Sequence, residues 1–124
     1  MYARGTNKRI KQFQLHDCCC TVIRIEKLIA EFKQIDAALV REITVEEGRA
    51  GIHDMANFAY PLVAKAVQQR RENVRRSIEE LMQRLEVARN AMAEAEDELR
   101  RVESRDERRQ MRDQLDRETD WRRP

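Results

Sequence analysis

A seven-residue repeat runs through the second half of the chain. Two apolar positions recur in each heptad, which indicates a helix that supercoils left-handedly against a partner helix. The repeat predicts a helix over about residues 61–121. Its two rows of apolar residues are Val67, Val74, Leu81, Ala88, Ala95 and Val102, and Ile78, Leu85, Met92 and Leu99.

Apolar residues also recur at helical spacing in the first half of the chain. They follow one another at intervals of three, four or seven residues, which predicts one long helix over about residues 7–46. Thr6 or Asn7 is expected to cap its start. Gly48, followed by Gly51, is expected to end it, because glycine is the usual residue just past a helix C-terminus.

The segment GRAGIHDMANFAYP separates the two predicted helices and contains most of the turn-forming residues of the chain. We expect a tip over about residues 47–60, with Asp54 to Tyr60 as a loosely helical corner. The second helix then begins at Asp54, which is a good N-cap, or at Pro61, which is tolerated in a first helical turn. Three apolar residues predict that the tip is structured rather than disordered, namely Ile52, Phe58 and Tyr60.

One charged residue interrupts the apolar stripe of each helix, Asp36 in the first and Arg71 in the second. If the two face each other, residues at paired positions have numbers that sum to 107, and Ile29 lies opposite Ile78. The same register leaves the chain beyond about Val102 without a partner helix. The predicted fold is therefore all-α: a single domain formed by a long two-helix antiparallel coiled-coil hairpin with a C-terminal helical overhang.

Composition agrees with a fold that has few turns and a narrow core. Charged residues make up 39% of the 124 residues, against about 25% in ordinary domains, and there are only three glycines and two prolines. The formal net charge of +2 gives no global attraction to nucleic acid or to an anionic membrane.

Three adjacent cysteines, Cys18, Cys19 and Cys20, cannot cross-link distant elements, which favours a reducing compartment. No apolar run is long enough for a membrane span or a signal peptide, so we expect a cytoplasmic protein.

The candidate chemical groups do not form a recognisable catalytic site. His16, Cys19 and Cys20 share one helical face and could supply metal ligands. A metal site is disfavoured because further ligands are needed, and the other histidine, His53, belongs to the distant tip. There is no nucleophile–base arrangement and no glycine-rich phosphate loop. We expect neither enzymatic activity, nor a cofactor, nor a small-molecule substrate.

Two features could serve macromolecular partners. Arg70, Arg71, Arg75 and Arg76 form a basic stretch that could neutralise phosphates, although no aromatic residues are interleaved for base stacking. Acidic residues of the first helix could pair with these arginines instead. The overhang carries apolar residues that the hairpin cannot cover, and tryptophan is a preferred anchor of protein interfaces. The residues predicted to bind partners are those four arginines with Phe58 and Tyr60 of the tip and Met111, Leu115 and Trp121 of the overhang.

Three segments of the sequence resemble the FliJ family of bacterial flagellar proteins. They are NKRIKQFQL in the first helix, GIHDMANFAYPLVAKA at the tip and QQRRENVRRSIEELMQRLEVA in the second helix. The resemblance implies a component of the flagellar type III export apparatus, shaped like the central stalk of rotary ATPases. It also implies contacts with the export ATPase, the export gate and export chaperones, in the cytoplasm or at the inner face of the membrane. The triple cysteine and Pro61 depart from the family's pattern.

Two functional hypotheses follow. The leading one is a non-enzymatic stalk or adaptor of flagellar export. The alternative is a helical nucleic-acid-binding regulator that dimerises into a four-helix bundle and uses the arginine stretch on phosphates.

Overall fold

The protein is an all-α helical hairpin, as the sequence predicts. This computed structural model describes the backbone of residues 2–120 and the side chains of residues 5–119. Helix α1 comprises Tyr2–Ala50 and helix α2 comprises Leu62–Asp120, and the two pack against each other in antiparallel orientation. No strand occurs in the part of the chain that the structure describes. Neither helix, over the same residues, contains an apolar stretch long enough to cross a membrane.

Helix α1 is longer at both ends than the sequence predicts. It already includes residues 2–6, so Thr6 and Asn7 lie inside the helix and the prediction that one of them caps it is wrong. The predicted stop at Gly48 is also wrong, because the helix continues through this residue. Gly51 ends it: its φ of 69° is left-handed, and its N–H donates to the Glu47 carbonyl at 2.8 Å. This is the single-bond αL cap that favours glycine.

The connection over residues 51–61 is structured, but it is not helical. The Asp54 carboxylate accepts a hydrogen bond from the Ala56 N–H, and the Asn57 side-chain oxygen accepts one from the Ala59 N–H, both at 2.9 Å. Backbone bonds from Asn57 N–H to Asp54 O and from Tyr60 N–H to Asn57 O close two successive turns. Asp54 therefore initiates a turn, as Asp and Asn commonly do, and not helix α2.

Helix α2 begins immediately after Pro61. The Pro61 carbonyl accepts the first helical hydrogen bond, from the Lys65 N–H at 3.0 Å, and Leu62 is the first helical residue. Proline has no N–H to donate, so its position ahead of the first turn costs no hydrogen bond and introduces no kink.

The chain divides into two compact units, each containing parts of both helices. The unit Ile23–Val87 contains the turn. Leu39, Ile43 and Val67 form its central cluster. Asp36 and Arg71 lie opposite each other, with Asp36 Oδ1 and Arg71 Nε 3.1 Å apart. The predicted facing of these two charged residues is confirmed.

The other unit consists of the described residues of Met1–Val22 and Ala88–Pro124. Lys11 Nζ and Glu98 Oε2 are 2.6 Å apart and join its two helical segments. Among the side chains that the structure describes, Val102 is the last buried one, and every residue from 107 to 119 is exposed. Residues 107–120, which we call the C-terminal arm, extend for about 21 Å at 1.5 Å per residue. They form the predicted overhang.

Candidate protein-docking surfaces

The turn presents apolar side chains to solvent. Phe58 is fully exposed, and Met55, Leu62 and Val63 are also exposed. We call these four residues the turn surface. Isolated apolar residues on a protein surface are ordinary, but several within nine residues of a turn form a candidate docking site.

The backbone beneath the turn surface is tied to the end of helix α1. Tyr60 is only 6% exposed, and its hydroxyl donates to Glu47 Oε1 at 2.7 Å. The second oxygen of the same carboxylate lies 3.1 Å from His53 Nδ1. The predicted partner-binding role of Tyr60 therefore needs correction: its ring is covered by this protein, and it holds the turn in place.

These contacts change the acidity of both partners. The hydrogen bonds from Tyr60 and then from His53 lower the pKa of Glu47, because both stabilise its charged form. Burial raises the pKa of Tyr60, and the hydrogen bond that it donates to the Glu47 carboxylate raises it further. Glu47 therefore stays ionised to lower pH, and Tyr60 stays protonated to higher pH, than either group would without this contact. The hydrogen bond between them is kept over a correspondingly wider pH range.

The predicted basic stretch is only partly free to bind a partner. Arg71 is paired with Asp36, and Arg76 lies 3.6 Å from Glu72 one helical turn away. Arg70 and Arg75 are exposed, and no ion pair joins either one to another described residue. A shallow groove of about 750 Å³ runs along helix α2. Three of the four predicted arginines line it, and Arg70 does not. Its lining includes Lys65, Arg71, Glu72, Arg75, Arg76, Glu79 and Met82.

The C-terminal arm carries the other predicted docking residues. Met111 and Leu115 are four residues apart, which places them on the same face of helix α2, and both are exposed. Trp121 lies outside the described residues. The two apolar side chains that the structure describes on the arm are therefore available to a partner.

The three cysteines form no disulfide, and one of them contacts the nearby histidine. Cys20 Sγ lies 3.6 Å from His16 Nε2, across one helical turn. Across the described residues, no group of three or more His, Cys, Asp or Glu side chains is placed to hold a metal ion.

Two of these features were not predicted, although the sequence contains the signals for them. They are the contact between Glu47 and Tyr60 and the exposed apolar side chains at the start of helix α2. The predicted register pairs position 47 with position 60, which is the Glu47–Tyr60 contact. Ala64 and Val67 face the partner helix, and Leu62, two residues before Ala64, therefore lies on the opposite, exposed side of helix α2.

Comparison with known proteins adds no relative. No family model, no curated protein and no solved structure matches this chain.

Proposed function

We propose that this chain is a non-enzymatic coiled-coil adaptor of the bacterial flagellar type III export apparatus. It works in the cytoplasm, or at the inner face of the membrane through its partners, and contacts the export ATPase, the export gate and export chaperones. The resemblance of three sequence segments to the FliJ family supports the flagellar assignment. The observation that best supports the adaptor role is the fully exposed Phe58 on a turn that Tyr60 and Glu47 hold in place.

In this proposal the chain acts through protein contacts alone. ATP is hydrolysed by the partner and none is bound here. The turn surface belongs to one compact unit and the C-terminal arm to the other. Separate substitutions can therefore test each surface, and different partners can occupy them.

The structured turn gives Phe58 an energetic advantage in binding. Its backbone is already ordered by two side-chain-supported turns, so a partner that covers the ring does not have to order the loop. Burying a phenylalanine side chain contributes about 2 kcal/mol. Since 1.4 kcal/mol changes an affinity tenfold, Phe58→Ala should weaken binding about 30-fold.

The test is to measure binding of the purified export ATPase, gate domain and chaperones to the immobilised full-length chain. Phe58→Ala tests the turn surface, and the double substitution Met111→Ala/Leu115→Ala tests the arm. Val87→Ala is the matched control, because Val87 is exposed on helix α2 away from both surfaces. We expect each surface variant to weaken at least one interaction and the control to weaken none.

The possible results separate the two parts of the proposal. If the unsubstituted chain binds none of the three partners, the flagellar assignment is refuted. If it binds them and both surface variants bind equally well, the flagellar assignment stands and the docking surfaces are wrong.

The nucleic-acid alternative is supported by Arg70 and Arg75, which have no ion pair with a described residue. Against it, Glu72 and Glu79 line the same groove as the basic residues and would repel phosphates. Titration with duplex DNA and single-stranded RNA tests this role. Phosphate binding requires an affinity that falls linearly with salt on logarithmic axes. Absence of binding at low salt refutes it.

A further inference from the structure

The pair formed by His16 and Cys20 is the chemical feature that the adaptor role does not use. Both residues lie on helix α1, one turn apart, with Cys20 Sγ and His16 Nε2 3.6 Å apart. A tetrahedral zinc ion with Zn–N of about 2.0–2.1 Å and Zn–S of about 2.3 Å holds two such ligands about 3.5 Å apart. The two donor atoms are therefore already at the separation that zinc requires.

The pair lies on the side of helix α1 that faces away from helix α2. Val22 is buried in the seam, and Leu15 and Cys18 are half-buried there. His16 and Cys20 fall between these positions in the heptad; His16 is exposed, Cys20 is half-buried, and the contact between them is exposed. A metal ion can reach the pair without separating the helices.

One chain supplies two donors, and a structural zinc site needs four. The sequence disfavours a metal site within one chain, because further ligands are needed and the other histidine, His53, lies in the distant turn. No third ligand joins His16 and Cys20 among the described residues. The missing pair must therefore come from another molecule.

A second copy of this chain can supply that pair, because the surface around it is self-complementary. Phe13, three residues before His16, is 71% exposed, and Ile23, three residues after Cys20, is 64% exposed. When two α1 helices meet antiparallel about residue 18, Phe13 of each copy lies opposite Ile23 of the other. His16 of each copy then lies opposite Cys20 of the other, as a two-fold interface requires.

We propose that His16 and Cys20 from each of two copies form an intermolecular zinc site with two cysteine and two histidine ligands. Zinc binds the thiolate, so each Cys20 releases its proton to solvent on coordination, and the neutral imidazole of His16 donates a nitrogen lone pair. The flanking phenylalanine and isoleucine side chains cover the site on both sides. The proposal does not depend on the flagellar assignment.

The test uses the full-length chain, kept reduced and stripped of metal by EDTA, and then given Zn²⁺. We expect the molar mass, measured by light scattering, to double from 14.8 kDa, with one zinc ion per two chains. Co²⁺ in place of Zn²⁺ should give a thiolate-to-cobalt absorption band. Cys20→Ser and His16→Ala should each abolish metal-dependent doubling and reduce the band. Cys18→Ala is the matched control, because Cys18 lies at a seam position, and it should leave both signals unchanged.

Several results would overturn the proposal. The proposal fails if the molar mass does not change when Zn²⁺ is added, or if the chain is already a dimer in EDTA. It also fails if each monomer binds one zinc ion. Loss of the signals in the Cys18 variant with retention in the Cys20 variant would also exclude this ligand set. Circular dichroism without metal shows that each variant is folded, so loss of the signals can be assigned to the ligands.

Discussion

The ion pair between Asp36 and Arg71 should contribute measurably to stability, unlike most ion pairs of this protein. The two side chains retain 24% and 31% of their exposure, respectively. A fully exposed pair contributes about 0.2–1 kcal/mol, and removing one member of a fully buried pair costs about 3–5 kcal/mol. At this intermediate burial, Asp36→Ala should lower the free energy of unfolding by about 1.5 kcal/mol. Arg71→Ala should cost slightly more, because it also removes the long aliphatic stem of a side chain that is only 31% exposed.

A double-mutant cycle separates the pair from the packing of each side chain. Urea unfolding followed by circular dichroism at 222 nm should give a coupling energy of about 1 kcal/mol between the two alanine substitutions. The exchange Asp36→Arg/Arg71→Asp should recover part of the stability that either alanine variant loses. Glu72→Ala is the control: it breaks the pair with Arg76, in which both side chains are 64% exposed, and should cost less than about 0.5 kcal/mol. Additive effects of the two alanine substitutions would mean that the two charges do not interact energetically, and would refute the expected contribution of this ion pair to stability.

Three further predictions concern the turn and the core beside it. Gly51→Ala should destabilise the protein by about 1 kcal/mol, because alanine is strained at a φ of 69°. Gly48→Ala should stabilise it by about 0.5–1 kcal/mol, because helix interiors favour alanine over glycine. An added Cβ meets no atom at either site, so thermal melting of the two variants compares the backbone effects alone. Val67→Ala, in the core cluster, should cost about 2 kcal/mol in urea unfolding. The lowered pKa of Glu47 means that its contribution to stability is complete above the ordinary value of 4.5 and is lost as pH falls through the lowered pKa. Tyr60→Phe should therefore reduce the loss of stability below pH 4.5 in acid titration; an unchanged loss would show that the hydrogen bond does not contribute.

The helices and their facing could be predicted because the apolar spacing allows few alternatives. A two-position heptad seam must be covered, and a charge within it must find a partner or lose its hydration without compensation. Each helix has one such charge in its seam, Asp36 in helix α1 and Arg71 in helix α2, and both lie in the part of the helix nearer the turn. Matching the two therefore determined the register, and the Glu47–Tyr60 contact follows the same pairing.

The ends of helix α1 could not be predicted from local signals. A capping side chain such as that of Thr6 or Asn7 contributes about 1 kcal/mol, and a glycine inside a helix costs about as much. A helix that is already formed gains one backbone hydrogen bond for each residue added, so a local preference of this size does not stop it. The helix therefore continues through Gly48 and ends at Gly51, where the backbone enters the left-handed region.

The two aromatic residues of the turn show how the register determines which side chains are left for partners. Tyr60 lies just before helix α2, where the register places it opposite Glu47, and its hydroxyl satisfies that carboxylate while its ring is covered. Phe58 is two residues earlier, within the second of the two turns, and it has no hydroxyl with which to reach the end of helix α1. Exposure of its ring therefore follows from the same geometry that buries Tyr60. The hydrogen bonds of the turn backbone are made within the turn itself, so an outward-facing phenylalanine adds nothing to its stability. For this reason we propose that the exposed ring of Phe58 binds a partner.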